Sequence, residues 1–555
     1  MRLLQLGEEV EISLVEFMTD PPPYAILSHT WGADNEEVTF KEMIKGTGVG
    51  KIGYDKIRHC GKQAAKDGLQ YIWVDTCCID KSSSAELSES INSMFKYYQN
   101  AEVCYVYLPD VELDSWPPTT LSTSRWLTRG WTLQELLAPR NVKFFDKSFN
   151  FFGDKISLAG PLTSGTGIPL PVLAGDDRLS DVSIATRMSW VARRQTKRPE
   201  DLAYCLLGIF QVNMPLIYGE GVRAFRRLQD EIVKNSNDLS IFAWTAPMNR
   251  LNDYLGLFAA SPADFSRSSE IVPFLDDFAG YAVTNRGLHL FGDIELRIAG
   301  LFYSDLVYTK SIYWLSLGAN RQNSDLEEGI FLRKISPGLF CRVETKDLSG
   351  APETRIPKFQ SKYMCEPFGV RQFKDIHIIT YPTPNTSHVC SSFRKGAIHI
   401  RRDEAFQLQA VSPEELWDPT DSIILRPRNR YSGMAYSMVL AMSFEIELGS
   451  FLRELIVLCD YRGLIPELKA FRPHFYPDIS QRLFQNTSIS WEELTLLAPN
   501  IMSLGDSVTV DILEKGGLSS YRISVWLEKA KTEGIFEKEN FQVQSLRISC
   551  VGTYT

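Results

Sequence analysis

Three apolar runs punctuate the first part of the chain. Tyr24-Ala-Ile-Leu-Ser-His29 follows the breaker Pro21-Pro22-Pro23 and stops before Trp31-Gly32. Tyr71-Ile-Trp-Val-Asp75 ends on an acid, and Val103-Cys-Tyr-Val-Tyr-Leu108 is apolar nearly throughout. Each predicts a buried strand, and Val142–Phe145 predicts a fourth. Between them, residues 57–68 read as an amphipathic helix closed by Gly68. Residues 86–99 place Leu87, Ile91, Met94, Phe95 and Tyr98 at helical spacing. Alternating strands and helices imply a parallel α/β sheet with helices on both faces. Ligands of such sheets bind beyond the carboxyl ends of the strands. Ser28, His29, Trp31, Gly32 and Asp75 fall at those ends.

Further along, residues 150–180 read as a loop rich in Gly, Pro and Leu, and 181–240 as helical, with Pro199 in a first-turn position. From about 241 the texture becomes alternating and β-branched, as in Gly280-Tyr-Ala-Val-Thr284, Gly287-Leu-His-Leu-Phe291 and Ile376–Tyr381. The expected organisation is an α/β domain over 1–150, a helical extension over 151–245 and a β-rich domain over 246–460. Residues 461–555 are mixed and unassigned.

The most distinctive segment is Ser124-Arg-Trp-Leu-Thr-Arg-Gly-Trp-Thr-Leu-Gln-Glu-Leu-Leu-Ala-Pro139, which predicts one short helix closed by proline. Trp131 and Glu135, four residues apart, would share a face. A carboxylate held against an indole on a buried face has its pKa raised unless a partner or ligand compensates. Glu135 is therefore the candidate catalytic residue. The bland alternatives are an ion pair with Arg125, Arg129 or Arg140, and Trp126 as a plain core residue.

Composition narrows the classes. With 555 residues the chain should hold more than one core. A formal charge of −9 gives no support for binding nucleic acid through phosphates. The basic stretch from Arg187 to Arg198 reads as a solvated helix face. The 10 cysteines show neither regular spacing nor a C-x-x-C pair, so no disulfide framework and no metal site is expected. The start is too acidic for a signal peptide, and no apolar run nears the roughly 18–20 residues of a membrane span. A cytoplasmic protein is expected, in which the Asn-Thr-Ser matches at 385 and 486 carry no meaning.

Two tempting motifs fail. Gly46-Thr-Gly-Val-Gly-Lys51 resembles a phosphate loop, but has one residue too few between its outer glycines and Ile52 where Ser or Thr must bind magnesium. Cys77 or Cys78 with His29 or His59 could be drawn as a cysteine-hydrolase pair, but vicinal cysteines at a strand end are more often buried hydrophobes.

Several long segments resemble the fungal heterokaryon-incompatibility (HET) domain: Tyr24–Gly32, Tyr71-Ile-Trp-Val-Asp-Thr-Cys-Cys-Ile-Asp-Lys81, Ser88–Ala101 and Arg129-Gly-Trp-Thr-Leu-Gln-Glu-Leu136. Arg198–Gly208 and Pro215–Gly221 resemble its usual continuation. The resemblance implies a trigger of fungal cell death after non-self recognition. It also implies homo-oligomerisation on activation and an allelic or NLR-type partner protein.

More remotely, these segments are similar to Toll/interleukin-receptor (TIR) domains, which implies a TIR/flavodoxin-like parallel sheet. In enzymatic members of that family a glutamate matching Glu135 cleaves NAD. The likeness would give Trp131 a pocket-shaping role and put Ser28, His29, Trp31 and Gly32 beside the nucleotide, with Asp75 on a ribose hydroxyl. NAD would be substrate rather than bound cofactor. The chain departs from that pattern with Arg129-Gly130 before the tryptophan and Thr132 after it. The rival expectation is a non-enzymatic adaptor that works by self-association alone.

Overall fold

The computed structural model describes residues 1–7, 12–246, 254–273, 280–299, 312–322 and 327–336, with strands and short helices between 338 and 554. The Asn-Thr-Ser matches at 385 and 486 lie outside the described residues, as do Cys365 and Cys390. Contacts divide the chain into two units.

The first unit holds a seven-stranded sheet: β1 (Arg2–Leu6), β2 (Ile12–Glu16), β3 (Ala25–His29), β4 (Tyr71–Trp73), β5 (Val103–Tyr107), β6 (Val142–Phe145) and β7 (Phe151–Asp154). The order across it is β2-β1-β4-β3-β5-β6-β7. The four strands predicted from apolar runs form its parallel centre. The expectation of an all-parallel sheet is corrected at both edges, where β1, β2 and β7 run antiparallel to their neighbours. Every residue of β3 is buried, as a central strand covered on both faces requires.

Helices α1 (Phe40–Lys45), α2 (Ile52–Lys66), α3 (Asp75–Cys78) and α4 (Ser84–Gln99) fill the connections. Adjacent residues of β5 show both faces covered. The Tyr105 hydroxyl donates to Asp67 just after α2 at 2.7 Å, whereas Cys104 points to the Glu135 carbonyl. Gly61 lets α2 pack closely, since a Cβ there would lie 2.9 Å from Leu6. The rejected phosphate loop is a turn between helices: Gly46, at φ 66°, caps α1, and Lys51 precedes α2.

Next come α5 (Arg125–Thr128), α6 (Thr132–Leu137), α7 (Ala159–Thr166), α8 (Leu170–Ala174), α9 (Ile184–Ser189), α10 (Asp201–Tyr204) and α11 (Arg223–Asn235). Residues 150–180 are thus not the expected loop. They hold β7, α7 and α8, because Pro161 and Pro171 sit in first turns, where a missing N–H costs nothing. The basic stretch from 187 to 198 is a solvated face only in part, since Arg193, Lys197 and Arg198 are exposed. Arg187 and Arg194 are buried, donating to the carbonyls of Ile209 and Arg129.

The second unit is strand-rich. Phe406–Ser412, Val439–Leu448, Phe451–Asp460 and Glu467–Phe471 form an antiparallel sheet whose alternation sorts its two faces. Leu440, Met442, Phe444, Leu455 and Val457 pack against a second sheet through Ile398, Ile523 and Val525. Val439, Ala441, Ile456 and Leu458 instead pack against two helices, Pro477–Phe484 and Trp491–Leu497. The stretch after 461 therefore supplies strands and helices to this same unit. Among the described residues, no helix is long and apolar enough to cross a membrane.

Candidate active site

The predicted helix over 124–139 is two helices. Ser124 caps α5, its hydroxyl accepting from the Trp126 N–H and donating to Asp110. The chain then extends at Arg129 (φ −81°, ψ 141°), and the Gly130 N–H donates to the Gln195 carbonyl at 2.9 Å. A Cβ on Gly130 would lie 2.6 Å from Thr196 Cγ2. The backbone can approach residues 195–196 only because glycine stands there. Arg194 secures the break, donating to the Arg129 carbonyl (2.8 Å) and to Thr132 Oγ1 (2.9 Å). α6 restarts at Thr132 and puts Glu135 in its first turn.

This break settles which indole Glu135 meets. Trp131 engages Asp201, whose carboxylate also accepts from Tyr218 at 3.1 Å. Trp126, 0% exposed, donates through Nε1 to Ser28 Oγ at 2.7 Å, and Ser28 donates to Glu135 Oε2 at 2.5 Å. Trp126 is therefore more than core filler: its N–H orients the serine that holds the acid. Glu135 is 8% exposed. Burial raises its carboxyl to about 7, outweighing the Ser28 hydrogen bond and the Arg129 charge, while the Asp75 charge pushes it the same way as burial. Of the three arginines near it in sequence, Arg129 is the one that acts on it.

Beside it lies a second acid in the opposite state. Asp75 opens α3, which begins just past β4. It accepts from His29 Nε2 at 3.1 Å and from Trp31 Nε1 at 2.9 Å. Burial works to raise its carboxyl, but the His29 hydrogen bond and the charges of Lys81 and Arg129 hold it far below the usual range. Lys56 Nζ lies 2.9 Å from His29 Nδ1. An ammonium can only donate, so the neutral ring carries its proton on Nε2 and gives it to Asp75. Burial and Lys56 lower the pKa of His29, which keeps it neutral. Lys56 also donates to Glu37, which accepts the Gly32 N–H at 2.7 Å. Lys81 lies 3.8 Å from the Trp31 ring centroid and Arg129 5.6 Å.

A cleft of about 420 Å³ opens at the carboxyl ends of β3 and β5. The strand order changes direction between these two strands, and open α/β sheets bind ligands at such a crevice. Thr30, Trp31 and Gly32 form one wall. Ser28, Asp75 and Glu135 do not line it; Trp31, bonded to Asp75, joins the cleft to the acids.

Of the residues singled out from sequence, Ser28 and Glu135 bond each other, and His29, Trp31 and Asp75 form the adjoining set. Gly32 lies on the cleft, while Trp131 is occupied elsewhere. Sequence reasoning missed Lys56 and Lys81 in this cluster, took Trp126 for a plain core residue, and named Arg129 only as an ion-pair alternative for Glu135. For Trp126 there was a signal: a buried indole N–H needs an acceptor. Cys77 is fully buried, and Cys78 and burial push its thiol well up, which disfavours it as a nucleophile. Among the described residues, no group of three or more His, Cys, Asp or Glu could hold a metal ion.

Comparison with known proteins gives this geometry a context. The chain is 49% identical over 258 residues to vegetative incompatibility protein HET-E-1 of Podospora anserina, an alignment covering 44% of this chain and 19% of that protein. The chain thus matches only about a fifth of that relative's length. No solved structure matches. Residues 223–263 match a domain of unknown function (DUF8212). Residues 24–118, which carry Ser28, His29, Trp31 and Asp75, match the heterokaryon incompatibility protein (HET) family.

Proposed function

We propose that this chain acts in fungal vegetative incompatibility, and that its HET domain triggers cell death by hydrolysing NAD at Glu135. The observation that carries the reading is the Trp126–Ser28–Glu135 relay: a buried carboxyl, held near neutrality at the carboxyl end of the first parallel strand. Carboxyls so perturbed cluster at functional sites. The order of the parallel strands, second-first-third-fourth, is that of flavodoxin-like sheets, and this supports the TIR-like reading of the fold.

In the proposed reaction the bond between ribose C1′ and nicotinamide nitrogen breaks, and water supplies the new C1′–O bond. Nicotinamide leaves with the bonding pair as a neutral molecule, so no general acid is required. The ionised Glu135 stabilises the oxocarbenium-like centre and takes the proton of the attacking water. Ser28 fixes the carboxylate, and Trp126 fixes Ser28. Trp31 lines the cleft and donates to Asp75; in this reading, clustering frees that side chain and opens the way to Glu135.

A second reading draws on the same closure. With Glu135 off the cleft wall, the domain would serve as an adaptor that signals by self-association, alone or with an allelic or NLR-type partner. The test is NAD loss, followed by chromatography, for the parent and Glu135→Gln with and without forced clustering. Cleavage by the parent alone supports the enzyme. No cleavage by either, with killing intact in both, leaves the adaptor.

A further inference from the structure

Arg194 is a buried cation that the proposed chemistry leaves unused. It is 6% exposed, and among the described residues no carboxylate bonds it. Nε donates to the Trp190 carbonyl at 3.1 Å. One terminal nitrogen donates both to the Arg129 carbonyl (2.8 Å) and to Thr132 Oγ1 (2.9 Å). The other terminal nitrogen is buried without a hydrogen-bond partner among the described residues. Burial lowers the pKa to about 10, so the guanidinium stays charged at neutral pH. A cation buried without a bonded counter-ion is costly. The three hydrogen bonds do not call for one, since a neutral amide also donates to carbonyls and hydroxyls. The charge is what needs an explanation.

The neighbours of Arg194 supply it. Thr132 Oγ1 accepts from Arg194 and donates its own hydrogen to the Trp126 carbonyl at 2.5 Å. Arg194 thereby ties α5, which carries the indole of the relay, to the residue that opens α6. Glu135 stands three residues further along α6, on the adjoining turn. Glu135 and Cys205 are the groups whose negative charge would favour that of Arg194. Burial keeps the Cys205 thiol protonated, which leaves Glu135 to answer the guanidinium.

We propose that Arg194 is a positioning residue for Glu135, clamping α5 to α6 so that the Trp126 indole and the Glu135 carboxyl meet on Ser28. Its permanent charge also favours the carboxylate over the acid. Burial and Asp75 hold the proton on Glu135, while Arg194 joins Arg129 in easing its loss. The inference rests on Glu135 as the reacting acid and takes nothing from the identity of the substrate.

The test melts the full-length parent, Arg194→Lys and Arg194→Gln, each with and without Glu135→Gln, between pH 5 and 9. The difference within a pair grows with pH until Glu135 is ionised in the native state, near pH 7 in the parent. Losing the cation and loosening the Ser28 link both favour the neutral carboxyl. The levelling pH should therefore rise by roughly half a unit with lysine, which keeps the charge without the planar fork, and roughly one unit with glutamine. The other groups that face Glu135 cancel within each pair: Asp75 stays ionised, and Tyr98, Cys104 and Cys205 keep their protons. A purely structural arginine would destabilise both members of a pair alike and leave the levelling pH at the parent value. That result overturns the inference, and lysine alone decides it if the glutamine variant does not fold. A rise with glutamine but none with lysine overturns the clamp, since charge alone then accounts for it. The two readings fail separately. Absence of NAD cleavage by the parent sinks the hydrolase and leaves the levelling pH to judge Arg194. Cleavage with an unmoved levelling pH does the reverse.

Discussion

Glu135 makes a thermodynamic prediction that does not depend on finding its substrate. Its carboxyl moves from the ordinary 4.5 in the unfolded chain to about 7 when folded. Between those values the native state keeps a proton that the unfolded state has released, so stability falls as pH rises. At 1.36 kcal/mol per pKa unit, the carboxyl costs about 1 kcal/mol at pH 5 and about 3 kcal/mol at pH 8. Glu135→Gln is neutral at both. Its carbonyl can still accept from Ser28, and its amide can donate towards the Tyr98 hydroxyl, which itself donates to the Leu27 carbonyl at 3.2 Å. The variant should therefore be close to the parent at pH 5 and more stable than it at pH 8. The shift in Tm would be about 5 °C for a unit of this size. Parallel melts of parent and variant followed by circular dichroism give the difference directly, since every other titrating group cancels to first order. If the gap between the two proteins does not widen with pH, the carboxyl is not held near neutrality and the site argument fails. A variant that is stabilised at pH 8 and inactive shows that the acid is retained against a stability cost.

Asp75 should behave in the opposite sense. Its pKa is depressed, so its contribution is fully present above the unfolded value near 4 and is lost as pH falls below it. Asp75→Asn should cost about 1.5–3 kcal/mol at pH 7 by weakening charged hydrogen bonds from His29 and Trp31, and the loss should shrink in acid melts. Gly130→Ala should destabilise by roughly 1–3 kcal/mol, because a Cβ 2.6 Å from Thr196 forces α6 and residues 195–196 apart; an unchanged Tm would contradict the close approach. Trp126→Phe removes the donor to Ser28 and should cost about 1 kcal/mol. It should also raise the Glu135 pKa, read as an alkaline shift of the rising limb of kcat/KM for NAD. For the parent that limb should lie near pH 7, while the limb of kcat should lie lower, because the cationic nicotinamide ring of bound NAD favours the carboxylate. Coincident limbs would argue that the ring does not reach Glu135.

The parallel centre of the first sheet was legible because β3, β4 and β5 are covered on both faces and so read as largely apolar runs, and β6 is broken only at Lys143. Its antiparallel edges were not. β2 has no fully buried residue, and β1 buries only Leu3 and Leu4. At Glu135 the local signal, an acid at helical spacing from an indole, pointed to Trp131, whereas the buried link runs through Ser28 to Trp126. Periodicity carries no information across a break, and this break is made by a strand-like contact with Gln195, far along the chain. Lys56, Lys81 and Arg194 were invisible for the same reason: a basic side chain in a helical or polar stretch reads as solvated until the elements packed on it are known.

The two acids of the cluster explain why it is built from so many long-range partners. Carboxyls close enough to sense one another ordinarily share the cost of charge. Here Asp75 takes the charge, fixed by His29, Trp31, Lys81 and Arg129. Its anion then joins burial in keeping the proton on Glu135, with Arg129 opposing both. A structural ion pair needs no such division, because one acid with one arginine would suffice. Pushing two neighbouring carboxyls in opposite directions leaves one permanently charged and the other able to change state near neutral pH. The buried link from Trp126 through Ser28 falls on the acid that can change state, and the cationic belt falls on the one that cannot. That asymmetry favours Glu135, rather than Asp75, as the residue that meets a reacting group.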